Sequence, residues 1–129
     1  MFRFLILASS TILLATIGCS KPSRPTMAGG KSVDAWVEAL QSPVPAERKK
    51  AAAELGNVGD TNPAVVPALR KALPDTDPSV RLQVIMAIVK CRKQGLECVP
   101  ALAEMKQNDP DPRVREYARQ AVETLQAKP

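Results

Sequence analysis

From Ser32 onward the apolar positions recur at helical spacing, and the breaks fall at proline, glycine and aspartate clusters. Ala35, Trp36, Ala39 and Leu40 share one face of a first helix, with Ser32 placed to cap it. Ser42-Pro43-Val44-Pro45 interrupts the pattern. A second helix is predicted from about Ala46 to Leu55, with Ala51, Ala52 and Leu55 inward and Gly56 as a stop that tolerates positive φ. Asn62-Pro63 opens a third helix with Pro63 near its first turn and a stripe of Val65, Val66, Leu69 and Leu73; Pro74 ends it. Asp77 caps a fourth, with Pro78 at its first position and Val80, Val84, Ile85 and Ile88 on one side. A fifth starts near Cys98 with Val99, Leu102 and Met105 inward. After the break at Asn108-Asp109-Pro110, Asp111 caps a sixth carrying Val114, Ala118, Ala121, Val122 and Leu125.

The breaks themselves repeat. Asp75-Thr76-Asp77-Pro78-Ser79-Val80-Arg81 returns 34 residues later as Asp109-Pro110-Asp111-Pro112-Arg113-Val114-Arg115. A degraded copy, Pro45-Ala46-Glu47-Arg48, places Arg48 33 residues before Arg81. A fixed period in this range marks stacked helical repeats. The pattern divides residues 32–126 into helix pairs at about 32–59, 62–92 and 97–126, and predicts an all-α fold, a short right-handed α-solenoid. A two-helix unit leaves one apolar face uncovered until a neighbour stacks on it, and about three units are the minimum. The outer units must also act as caps, and Lys49, Lys50, Arg119 and Glu123 give them polarity.

The N-terminal stretch has a different pattern. Arg3 precedes 14 uncharged apolar or small residues, Phe4 to Ile17, long enough for the core of a signal peptide and short for a membrane span. Thr16-Ile17-Gly18-Cys19-Ser20 resembles a bacterial lipobox, although Thr16 stands where Leu is usual. The resemblance implies lipid attachment to Cys19 and cleavage before it, giving residues 1–18 as signal peptide and 19–31 as lipidated cysteine and flexible tether. Ser20, rather than Asp, after the cysteine implies the outer membrane in a double-membrane organism. The alternative is an ordinary secretory signal with Cys19 incidental. Each buried acyl methylene contributes about 0.8 kcal/mol, so a multiply acylated cysteine holds a chain on a membrane without a spanning helix.

Composition narrows the chemistry. The chain has 129 residues and only four aromatics, so the core must come from aliphatic side chains and alanine, which suits packed helices. Net charge is +5 with both signs interspersed, the pattern of a solvated surface rather than a nucleic-acid-binding stripe. Histidine is absent, which removes imidazole catalysis and imidazole metal ligation. No catalytic constellation and no cofactor motif are recognised.

The repeat motifs Ala51-Ala52-Ala53-Glu54-Leu55-Gly56-Asn57-Val58-Gly59-Asp60, Val66-Pro67-Ala68-Leu69, Asp77-Pro78-Ser79-Val80-Arg81, Val99-Pro100-Ala101-Leu102 and Asp111-Pro112-Arg113-Val114-Arg115 resemble HEAT-type repeats, particularly the short form in phycobilisome-lyase-like proteins. Repeat one departs at Glu47, where Val80 and Val114 stand in the others. Repeat two departs at Val89 to Arg92, which implies an altered turn. The resemblance implies that Arg48, Arg81 and Arg115 pair with aspartates of adjoining units; a phosphate-reading basic stripe is the other reading. Asp77 and Asp111 read as helix caps, and Asp75 and Asp109 as partners of backbone or arginine, against a calcium loop whose glycine and distal glutamate are missing. Cys91 and Cys98 read as a disulfide staple in an exported chain, or as two free, partly buried thiols.

These observations lead to the expectation of a lipid-anchored interaction or scaffold module in the cell envelope, not an enzyme. Its partners would be envelope proteins, with neither nucleic acid nor a small-molecule substrate. Repeat position marks Lys50, Gln83, Met86, Tyr117 and Gln120 as exposed partner-binding candidates on a concave face of second helices. The alternative implied by the resemblance is a lyase-like or cofactor-handling protein.

Overall fold

The computed structural model describes residues 27–127. Cys19 and the lipobox lie outside the described residues. The described residues begin with a small antiparallel hairpin, β1 (Met27–Ala28) and β2 (Lys31–Ser32), with Met27 opposite Ser32 and Ala28 opposite Lys31. Six helices follow: α1 (Val33–Ala39), α2 (Pro45–Gly56), α3 (Val65–Ala72), α4 (Pro78–Lys90), α5 (Val99–Asn108) and α6 (Pro112–Gln126). A 3₁₀ segment, Arg92–Cys98, joins α4 to α5.

The starts of the helices follow from side-chain chemistry. The first amides of a helix have no partner within it. The Ser32 hydroxyl accepts from the Ala35 amide in α1, and the Asp77 and Asp111 carboxylates accept from the Ser79 and Arg113 amides in α4 and α6. Both aspartates are held below the usual carboxylate range, first by the side-chain donors Ser79 and Arg113 and then by these amides. Proline follows each aspartate cap, where its missing amide costs nothing. In α2 the cap position is Val44, whose side chain has no acceptor, and the Ser42 hydroxyl instead accepts the Val44 amide.

The units are helix pairs, α1/α2, α3/α4 and α5/α6. The second helices form a continuous row in which α4 packs against both α2 and α6. The first helices meet one another much less, so the α2–α4–α6 row is the inner side of the curve. A single aliphatic core runs through the stack, with Leu55, Leu69, Ile85, Ile88 and Leu102 fully buried. The predicted stripes of α3, Val65, Val66, Leu69 and Leu73, and of α4, Val80, Val84, Ile85 and Ile88, all face this core.

Three sequence expectations change. Residues 27–31, read as tether, belong to the hairpin, because Gly29 and Gly30 supply the positive φ of 52° and 81° that the turn needs. Gly56 is the last residue of α2 and does not have positive φ; a Cβ there would lie 2.8 Å from the Ala87 Cα, so glycine is required for α2 to approach α4. Pro63 precedes α3 rather than opening it, and the Asn62 side chain accepts the Ala64 amide to form the turn. The altered turn expected at the end of repeat two is present: a left-handed Arg92, φ 50°, turns the chain out of α4 into the 3₁₀ segment.

Candidate functional site

The aspartate–arginine motifs build a ladder along one edge of the stack. The Arg48 Nε and Nη2 donate to the two Asp75 carboxylate oxygens at 2.7 and 2.9 Å. The Arg81 Nε and Nη2 do the same to Asp109, both at 2.9 Å. Each rung therefore ties a second helix to the inter-helix corner of the next unit. The same aspartates also order their own corners: Asp75 and Asp109 accept the amides of Asp77 and Asp111, each at 2.9 Å. The third guanidinium nitrogen reaches back in every unit. Nη1 of Arg48, Arg81 and Arg115 donates to the carbonyls of Ser42, Asp75 and Asp109, six residues upstream in each case.

Fork-to-fork pairing of this kind is directional and charge-assisted. Burial opposes ionisation of Asp75 more strongly than any other single influence. Hydrogen bonds from Arg48 and the Asp77 amide, with the Arg48 charge, together outweigh it and hold the carboxyl below its usual range. The Arg81–Asp109 rung is the deeper one, with side chains 9% and 6% exposed. Removing one partner of such a pair leaves a charge stranded in a poorly solvated site. No buried side-chain nitrogen or oxygen among the described residues lacks a partner.

The ladder changes at its ends. Ser42 occupies the place of Asp75 and Asp109 in unit one, so that end has a hydroxyl where the others have a carboxylate. At the other end Arg115 keeps its carbonyl contacts to Asp109, at 2.6 Å, and Pro110, at 3.4 Å, while no carboxylate among the described residues meets its Nε and Nη2.

The partner-binding candidates lie on the inner row. Lys50, Gln83 and Tyr117 occupy equivalent places on α2, α4 and α6, and Met86 and Gln120 do so on α4 and α6. Met86 and Tyr117 are 43% and 42% exposed; Val44 and Leu96, both outside the second helices, are the other exposed large apolar side chains among the described residues. Gln83 is partly buried, and Lys50 and Gln120 are exposed. Two of the five have partners within the chain. The Lys50 ammonium sits 5.9 Å from the Trp36 ring centroid, and the Gln120 amide donates to Glu116 at 2.7 Å.

Cys91 and Cys98 are both free thiols in the structure, fully buried at the two ends of the 3₁₀ segment, rather than the staple expected of an exported chain. Burial pushes each thiol up to about 11; the neighbouring Cys98 adds to the effect on Cys91, and Glu97 to that on Cys98. Such thiols are poor nucleophiles at neutral pH. Among the described residues no group of three or more His, Cys, Asp or Glu is arranged to hold a metal. No helix among them is long and apolar enough to cross a membrane.

A groove of about 400 Å³ opens in the outer row between α3 and α5, over the Arg81–Asp109 rung, with Leu73, Ala101 and Met105 in its wall. Its wall draws on residues of α3, of α5 and of the corners that follow them, so no single helical stripe marks it.

Helix pairs stacked at a fixed period, with an aspartate–arginine ladder along one edge, define a helical-repeat protein. The HEAT-repeat family model matches residues 33–123, and the chain belongs to that family. No curated protein matches the chain.

Proposed function

We propose that this chain is a non-catalytic interaction module, held on the bacterial envelope by a lipid on Cys19, that binds another envelope protein along the inner row of α2, α4 and α6. The observation carrying this reading is the exposure of Met86 on α4 and Tyr117 on α6, whose repeat equivalents are Gln120 and Gln83. An exposed aromatic and a flexible thioether on neighbouring second helices are the kinds of side chain that anchor protein interfaces. HEAT repeats are commonly used for protein interaction, and the absence of histidine leaves no imidazole for acid–base work. The lipobox-like Gly18-Cys19 supports the anchor.

The test is photo-crosslinking in native envelopes. A photoreactive residue at Gln83 of the full-length protein should give defined adducts that are lost in the Met86→Ser/Tyr117→Ser variant. Unchanged adducts in that variant would overturn the assignment of the surface. Intact mass of the membrane-extracted protein checks the anchor: a chain starting at Cys19 plus acyl mass is expected, and an unlipidated soluble chain would refute it.

A further inference from the structure

The outer face of α6 differs from that of α4 in one systematic way. Leu82, Ile85 and Val89 of α4 correspond, 34 residues on, to Glu116, Arg119 and Glu123 of α6. In α4 these positions are buried or partly buried in the stack. In α6 they form an exposed ion cluster: Arg119 donates to Glu116 at 2.5 and 3.0 Å and to Glu123 at 2.6 Å. The face is therefore finished with charge, and an apolar helix stacking there would bury that cluster at a cost.

Arg115 is left outside this arrangement. Its Nη1 is fixed by the Asp109 carbonyl, as in the two inner rungs, so the guanidinium is held in the orientation that elsewhere receives a carboxylate through Nε and Nη2. It lines an open groove of about 360 Å³ with Lys106, Gln107, Pro112, Glu116 and Arg119. Glu116 is committed to Arg119, and the charges left over are the cations Lys106 and Arg115. Residues 1–26 and 128–129 contain no Asp or Glu. A second copy joined head to tail would bring Ser42, a neutral side chain, to the rung position.

We infer that Arg115 is an open rung, a preorganised carboxylate receptor that takes an aspartate from a partner protein at a helix-preceding corner of the Asp-x-Asp-Pro kind. The two closed rungs supply the chemistry of the occupant. In both, the carboxylate arrives from such a corner, with one oxygen also accepting the amide two residues on, so that it meets the arginine fork already oriented. The partner docks by polar contact and needs no apolar helix to bring it in. The inference rests on and deepens the interaction-module reading by adding a second contact at the C-terminal edge that does not use Met86 or Tyr117.

The test follows the arginine Nε–H resonances of the full-length protein by NMR while a peptide with the sequence Asn-Asp-Pro-Asp-Pro-Arg-Val is added. The Arg115 resonance should shift saturably, with Arg48 and Arg81 unmoved. The peptide with both aspartates changed to asparagine should bind at least tenfold more weakly, as should the Arg115→Gln protein, which keeps both closed rungs. No Arg115 shift at millimolar peptide, or equal binding of the asparagine peptide, overturns the proposal. Equal shifts with acetate would make the site a simple anion site, and shifts produced by protein concentration alone would make a second copy the occupant; either also overturns it. The Met86→Ser/Tyr117→Ser variant should titrate like the wild type, so failure at Arg115 is distinguishable from failure of the inner-row surface.

Discussion

The two ends of this short stack are closed by opposite chemistry. At the N-terminal end a hairpin folds over Trp36, which is only 3% exposed. Its indole N–H donates to the Ala28 carbonyl at 2.6 Å, and the Lys31 ammonium lies 4.8 Å from the ring centroid. One large apolar group is thereby hidden, its single polar atom paired, and its rim covered by cations. At the C-terminal end no element among the described residues covers the outer face of α6. The helix carries Glu116, Arg119 and Glu123 where its inner counterpart carries Leu82, Ile85 and Val89. One end hides its apolar face under a lid, and the other has no apolar face to hide. Apolar burial stabilises in proportion to area, whereas exposed ion pairs contribute little and mainly keep the surface soluble. The N-terminal lid should therefore carry much stability and the C-terminal charges very little.

The largest effect is expected at the lid. Trp36→Ala removes a filled ring site and should cost about 3–5 kcal/mol, a large share of the 5–15 kcal/mol typical of a domain. Urea unfolding monitored by circular dichroism reads the loss, with Arg119→Ala as the counterpart at the other end. Comparable losses in the two variants would erase the contrast between the ends. Trp36→Phe sharpens the same point, since it keeps most of the apolar volume while leaving the Ala28 carbonyl without its donor.

Next comes the joint that holds the C-terminal unit to the centre. Asp109→Ala strands the Arg81 guanidinium and also releases the corner at Asp111, so a loss of about 3 kcal/mol is expected, the low end for a broken buried pair because this one keeps slight exposure. A double variant with Arg81→Met should recover part of that loss, because no buried charge is then left alone. If the double variant is as unstable as the two single losses summed, the rung is not acting as a unit.

Much of this arrangement was legible in the chain. Caps at Ser32, Asp77 and Asp111 and stripes such as Val65, Val66, Leu69 and Leu73 are local signals, and the recurrence of Arg48, Arg81 and Arg115 put three arginines in register before any contact was known. What escaped was decided by approach between distant segments. Gly56 looked like a stop because glycine after a helical stripe usually is one; only the position of Ala87 reveals that it is a contact point. The hairpin over Trp36 has strands of two residues, too short to show alternation, and its Gly29-Gly30 turn reads equally well as linker. The charged finish of α6 was visible in Arg119 and Glu123, but its meaning comes from laying α6 on α4, position by position.

The smallest effect should come from acid and salt acting on the C-terminal cluster. The Arg119 guanidinium, and then the Gln120 amide, hold Glu116 down to about 2, against an ordinary 4.5. A carboxyl depressed in the folded state stabilises that state above its unfolded value, and the contribution disappears as pH falls through the folded value. The difference between wild type and Glu116→Gln should therefore be small but constant above about pH 4.5 and shrink to nothing by about pH 2. Wild type alone cannot isolate this, because Asp75, Asp77 and Asp111 are also depressed and lose their contributions in the same direction. At 1 M salt the screening length falls to about 3 Å, and the same difference should nearly vanish at neutral pH. The loss caused by Trp36→Ala should persist under that salt, since covering an indole ring does not depend on charge alone. If salt instead erased the lid's contribution and spared the cluster's, the Lys31 and Lys50 ammoniums rather than apolar burial would be what closes the N-terminal end.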